Sequence, residues 1–153
     1  MNIFILDKNP KICAKYHCDR HVVKMILESA QMLCTVLSQN NINVPYKPTH
    51  IKHPCTIWAG KSVANFNWLR KLSKYLNKEY KLRYKKKVNH KSYDVIKSLP
   101  NYVINVKNLT NFVQAMPNQY KCNDPVQAYR NYYKQEKKDF ATWKLDKPIW
   151  WEQ

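Results

Sequence analysis

Between Asp19 and about Ser38, Val22, Met25, Ile26, Ser29, Leu33, Val36 and Leu37 recur in steps of three and four, the spacing that lines one face of a helix. A long amphipathic helix is predicted there. Residues 39–53 contain Asn40-Asn41, Pro45 and Pro48 and read as a loop, since proline removes a backbone donor and clashes with a continuing helix. Pro54 sits where a first helical turn tolerates it. From there to about Tyr84, Val63, Phe66, Leu69, Leu72 and Leu76 predict a second long helix with Lys61, Arg70, Lys71, Lys74, Lys78 and Lys81 on its other faces. A basic cluster, Lys85-Lys86-Lys87 with Lys91, precedes a short helix at 92–99 that Pro100 stops. Asn123-Asp124-Pro125 then opens a helix through about Phe140, with a capping side chain followed by proline at the first turn. At the other end, Asn2 to Leu6 form a short β-branched and aromatic run ended by Asp7 to Pro10, read as a strand or extended segment. Trp150-Trp151 are expected to pack back on the body, because two adjacent indoles are costly to leave in water. The expected fold is mostly α: a compact single-domain bundle over 1–153, of about three main helices with a short N-terminal strand or extended segment.

Charge changes this picture more than hydropathy does. The 153 residues carry 27 Lys and Arg against 10 Asp and Glu, a formal charge of +17. A domain so basic repels itself unless a polyanion neutralises it, so nucleic acid is the expected partner. The five Cys form no CxxC pair and imply a reducing, intracellular setting. No apolar run approaches the ~20 residues of a membrane span, so no membrane association is expected. A single glycine excludes phosphate-cradling and dinucleotide-binding loops, which consume that residue. No cofactor is expected. The Lys- and Asn-rich, Gly-poor composition suits an AT-rich genome such as a virus.

At about 100° per residue, His17, His21, Lys24, Glu28 and Gln31 fall on one stripe opposite the apolar face, with Arg20 at its edge. Such a stripe is ordinarily a solvated face. Its mixture of His, Glu and cations is also what acid–base and charge-stabilising chemistry uses. Glu28 is one of only ten acids in this basic chain, where a carboxylate opposes phosphate binding unless it has another task. His50 and His53 flank Ile51-Lys52 just before Pro54, and with His17 and His21 offer four imidazoles. Neither pair follows a zinc signature, and no metal ligand is assigned. Three readings stand: a DNA-acting enzyme with Glu28 or His21 as acid–base group and His17 and His53 nearby; a non-catalytic nucleic-acid-binding protein; and a metal-dependent nuclease using the His pairs. Arg20, Lys24, Gln31, Arg70, Lys74, Lys78 and Lys81 are the candidate nucleic-acid contacts.

The run Arg20-His21-Val22-Val23-Lys24-Met25-Ile26-Leu27-Glu28-Ser29-Ala30-Gln31-Met32-Leu33 is similar to the first long helix of the pyrimidine-dimer DNA glycosylase-like proteins, and to small phage and large-virus relatives of that family. His53-Pro54 with Trp58, Tyr75 and Tyr80 resembles the family's second helix, so the likeness covers about residues 1–85. It implies a helical repair enzyme that bends DNA, flips a nucleotide and forms a Schiff base between its N-terminal α-amine and C1′ of the sugar, assisted by a helix carboxylate. The amine would belong to Met1, and Arg20 and Lys24 would contact phosphates. The position aligned with the family's carboxylate is His21, while Glu28 matches a Glu of the phage and viral relatives.

Overall fold

The computed structural model describes residues 1–153 and contains six α-helices and no strand: α1 Pro10–Tyr16, α2 Asp19–Gln39, α3 Pro54–Gly60, α4 Val63–Arg83, α5 Lys91–Ser98 and α6 Pro125–Glu136, with 3₁₀ turns at Asn118–Tyr120 and Ile149–Glu152. The two 21-residue helices form the frame. Arg83 at the end of α4 reaches Asp19 at the start of α2, and Gly60 just before α4 lies against Val36 near the end of α2, so the pair is antiparallel. A Cβ on Gly60 would stand only 3.2 Å from a Val36 methyl, which explains glycine at this approach. One hydrophobic cluster runs from Ile3 through both long helices to Trp150.

Mostly α holds, but three expectations change. The predicted second helix is two helices. Ser62 is extended, its Oγ accepts the Asn65 N–H at 3.0 Å, and this cap starts α4 afresh after α3 has ended at Gly60. The bundle therefore has more parts than three main helices, one of them α1, which Asn9 caps with Pro10 in its first turn. Helix α6 stops at Glu136, short of Phe140. The indole tail does fold back: Trp150 is buried and stacks edge-on against Tyr16, with the Arg130 guanidinium 5.3 Å from its ring centre.

The N-terminal segment is not a strand, because nothing pairs with it. Residues 2–6 are a buried thread, several of whose backbone groups are met by side chains. The Ile3 carbonyl lies 3.2 Å from His17 Nε2, Cys13 donates to the Phe4 carbonyl, and Arg130 Nε donates to the Leu6 carbonyl at 3.0 Å. Asn2 Oδ1 accepts from the N–H groups of Ile3 and Phe4 at 2.7 and 3.1 Å. Those bonds hold Phe4 at a φ of 56°, a left-handed conformation unfavourable for a bulky residue, and its ring stacks on His21 with centroids 4.5 Å apart. A thread fastened this way carries its first residue to a fixed place. No helix is long and apolar enough to cross a membrane.

Candidate active site

The fixed place is the edge of α2. The Met1 amino group is 3.0 Å from Glu28 Oε1, with the Met1 side chain 2% and the Glu28 side chain 10% exposed. Met1 as a residue is nevertheless half-buried, so its exposed area lies on the main chain, where the amine is. The second carboxylate oxygen, Glu28 Oε2, is buried and has no protein partner. An orphaned charged oxygen beside a primary amine is a feature that folding alone would remove.

Asn2 positions the amine, a role the sequence did not disclose because a lone Asn carries no motif. Its Nδ2 donates to the Ala115 carbonyl at 2.8 Å, and Tyr129 of α6 clamps the same stretch by donating to the Val113 carbonyl and accepting from the Ala115 N–H. His53 stands at the start of α3. It caps α3, Nδ1 accepting the Cys55 N–H at 3.1 Å, which leaves Nε2 without a protein partner. Burial lowers the His53 pKa, the amino terminus and His50 lower it further, and Glu28 opposes them, so the ring lies within the field of both members of the pair. Helical spacing sets Lys24 one turn before Glu28 and Gln31 one turn after it, exposed and half-buried respectively. Arg20 continues that open face, its guanidinium 4.6 Å from the Phe140 ring centre.

The remaining predicted site residues divide. His17 is not on α2; it ends α1 and is fully buried, Nδ1 at 2.8 Å from the Cys13 carbonyl and Nε2 facing Ile3. Burial pushes its pKa down to about 4, leaving a neutral ring with one proton to offer these two carbonyls. His21 is 3% exposed beneath Phe4, its Nδ1 2.6 Å from the Tyr133 hydroxyl, and burial lowers its pKa to about 2. Both imidazoles hold the thread in place and lack the access an acid–base group needs, because the N-terminal segment lies over that side of α2. Arg70 is likewise spent on structure: it donates to the carbonyls of Ile96, Leu99 and Pro100 and fastens the end of α5 to α4. Lys74, Lys78 and Lys81 do line an open groove. Tyr129 and Tyr133 are core side chains rather than stacking surfaces.

Thiol and metal chemistry gain nothing from the geometry. Burial pushes Cys13 and Cys55 up to about 12 and raises Cys18 and Cys34, so these sulfurs stay protonated. Nowhere are three or more His, Cys, Asp or Glu side chains grouped to hold an ion.

The two buried imidazoles carry a pH prediction. Their folded pKa values lie below the ordinary 6.5, so on acidification the unfolded chain binds protons first. Stability is complete above about pH 6.5 and falls as pH drops through the window down to about 4, where His17 begins to protonate in the fold. Each histidine contributes a slope of about 1.4 kcal/mol per pH unit there. Urea midpoints at pH 7, 6, 5 and 4 should drop steeply; equal midpoints would contradict this burial.

Comparison of the chain with models of known protein families, with curated proteins and with solved structures finds no match.

Proposed function

We propose that the protein is a DNA-acting enzyme of the glycosylase/lyase type, with the Met1 α-amine as nucleophile and Glu28 as its proton-transfer partner. The observation that carries this reading is the 3.0 Å contact between the Met1 amine and Glu28 Oε1, with Oε2 left unpartnered. The resemblance of residues 20–33 to the pyrimidine-dimer DNA glycosylase-like proteins supports it, and so does the charge of +17.

The chemistry follows from the pair. Glu28 takes a proton from the ammonium and frees the nitrogen lone pair. The nitrogen then attacks C1′ of an opened abasic sugar, forming a carbinolamine, which loses its hydroxyl as water when the proton returns from Glu28 to that oxygen. The product is an imine between Met1 and the sugar. On an intact nucleotide the attack at C1′ breaks the bond to the base, which leaves with the proton that Glu28 took from the ammonium, and C1′ stays bonded to the Met1 nitrogen and the ring oxygen. Lys24 and Gln31, one turn of α2 either side of Glu28, and Arg20, two turns before it, hold phosphates and base edges, and His53 offers Nε2 as a further hydrogen-bonding group. His21, aligned with the family's carboxylate, has no access to this chemistry. Glu28 takes the role.

The test is to mix the protein with duplex DNA containing an abasic site and add borohydride, which reduces an imine to a stable amine. A covalent protein–DNA species on denaturing gels is expected. Tight DNA binding with no covalent species would overturn the enzyme reading and leave a binding protein of the same fold.

A further inference from the structure

Five lysines that the amine chemistry does not use line one trough. Lys71, Lys74, Lys78 and Lys81 of α4 and Lys97 of α5 border two adjoining cavities of about 400 and 500 Å³ that share Lys74, Tyr93 and Lys97. No carboxylate lines either cavity, and none of the five lysines takes part in an ion pair. Unpaired ammonium groups one helical turn apart repel one another, a cost that a solvated face avoids by interspersing acids. Both ends of the trough are fastened. Arg70 bonds the last carbonyls of α5 at one end, and at the other Asn77 donates to Asn89 and accepts the His90 N–H. The walls are thus held at a set separation before any ligand arrives.

We propose that the α4–α5 trough is a track for one sugar–phosphate backbone of the nucleic acid, separate from the amine site and indifferent to base sequence. From Asn67 to Lys81 the trough follows 15 residues of helix, whose 14 steps of 1.5 Å rise about 21 Å. That matches about six nucleotides at 3.4 Å each along one strand. From Lys71 to Lys81 the four lysines of α4 span about 15 Å of helix rise, the length of about four nucleotides at that spacing, so charges and phosphates match in number and the flexible stems take up the difference in step. Tyr93, the one aromatic ring in the trough, gives a flat wall against sugars without base-edge readout. The inference rests on the reading that the partner is nucleic acid, and not on the amine chemistry.

The experiment measures affinity for a 20-base-pair duplex, for one of its strands and for polyglutamate, between about 50 and 200 mM salt. It compares the wild type, a trough variant (Lys71→Gln, Lys74→Gln, Lys78→Gln and Lys97→Gln together) and a second quadruple variant at the exposed Lys11, Lys107, Lys121 and Lys138. On duplex, the log–log salt slope of the trough variant should flatten by about 3.6, near 0.9 for each phosphate no longer neutralised, and that of the second variant by less than about 1. Equal flattening in both variants would reduce the trough to bulk charge and overturn the proposal, as would an unchanged slope. Parallel weakening of polyglutamate binding would make it a general polyanion surface and overturn the backbone match. The borohydride trap on abasic DNA is run in parallel on all three proteins. Absence of adduct from every protein, with the slope difference intact, would remove the amine chemistry and leave the trough standing.

Discussion

Replacing Arg83 with Met should destabilise the protein by about 3 to 5 kcal/mol, the cost of leaving buried charges without their counter-ion. Arg83 has a side chain only 1% exposed and ties three helices together. Its Nε and Nη2 donate to Glu79 Oε1 at 3.1 and 2.8 Å, Nη1 to the His17 carbonyl and to Asp19 Oδ1, and Nη2 also to the Lys15 carbonyl. The ends of α1 and α4 and the start of α2 thus share one guanidinium. Asp19 extends the network to the C-terminal segment, accepting from the Thr142 hydroxyl and the Lys144 N–H. Arg83→Lys should recover less than half of the loss, since one ammonium cannot fork across four acceptors. Urea unfolding measures both variants; a loss below about 1 kcal/mol for Arg83→Met would show that the network is not formed.

The long helices were legible because their apolar residues repeat at helical spacing and depend on nothing distant. Helix α2 ends within a residue or so of its expected bounds. The break before α4 is also written in the chain, in Gly60-Lys61-Ser62, but the apolar residues around it carry the stronger periodic signal of one helix. The Asn9-Pro10 start of α1 follows the same rule that reveals α6, and is masked by the run of strand-forming residues beside it. Those residues, Ile3 to Leu6, have strand propensity and no partner strand, so tertiary contacts with His17, Cys13 and Arg130 decide their conformation. The polar stripe was legible as a set of residues and not as a site. Its members separate according to what lies over them: the N-terminal thread buries His21, leaves Lys24 in solvent and brings its own amine to Glu28. Periodicity describes a helix and its faces; it is silent about which distant segment covers one edge. Arg70 shows the converse, a cation on a basic face whose donors are consumed by the carbonyls ending α5.

Glu28→Gln should lower the rate of sugar attack by roughly 10²-fold or more, the usual contribution of a positioned acid–base group. Glutamine keeps the shape and an acceptor oxygen for the amine, and removes the capacity to take and return a proton. DNA affinity should be preserved or tighter, since one charge that repels phosphate is gone. The loss should therefore fall on kcat and not on KM. Single-turnover rates on abasic duplex, measured with both proteins saturated, separate this from weakened binding. Equal rates would assign Glu28 the lesser task of anchoring the N-terminus.

Which nitrogen forms the bond to the sugar decides whether Met1 is the nucleophile. The borohydride-trapped species is to be digested with trypsin and nuclease, and the sugar remnant located by peptide mass. The predicted result is a single modified peptide, Met1–Lys8, carrying the remnant on its α-nitrogen, with no modified peptide from protein whose N-terminus has been acetylated. A remnant on Lys24 or on any other lysine, or an adduct that forms undiminished with the acetylated protein, would contradict the assignment of Met1 as the nucleophile.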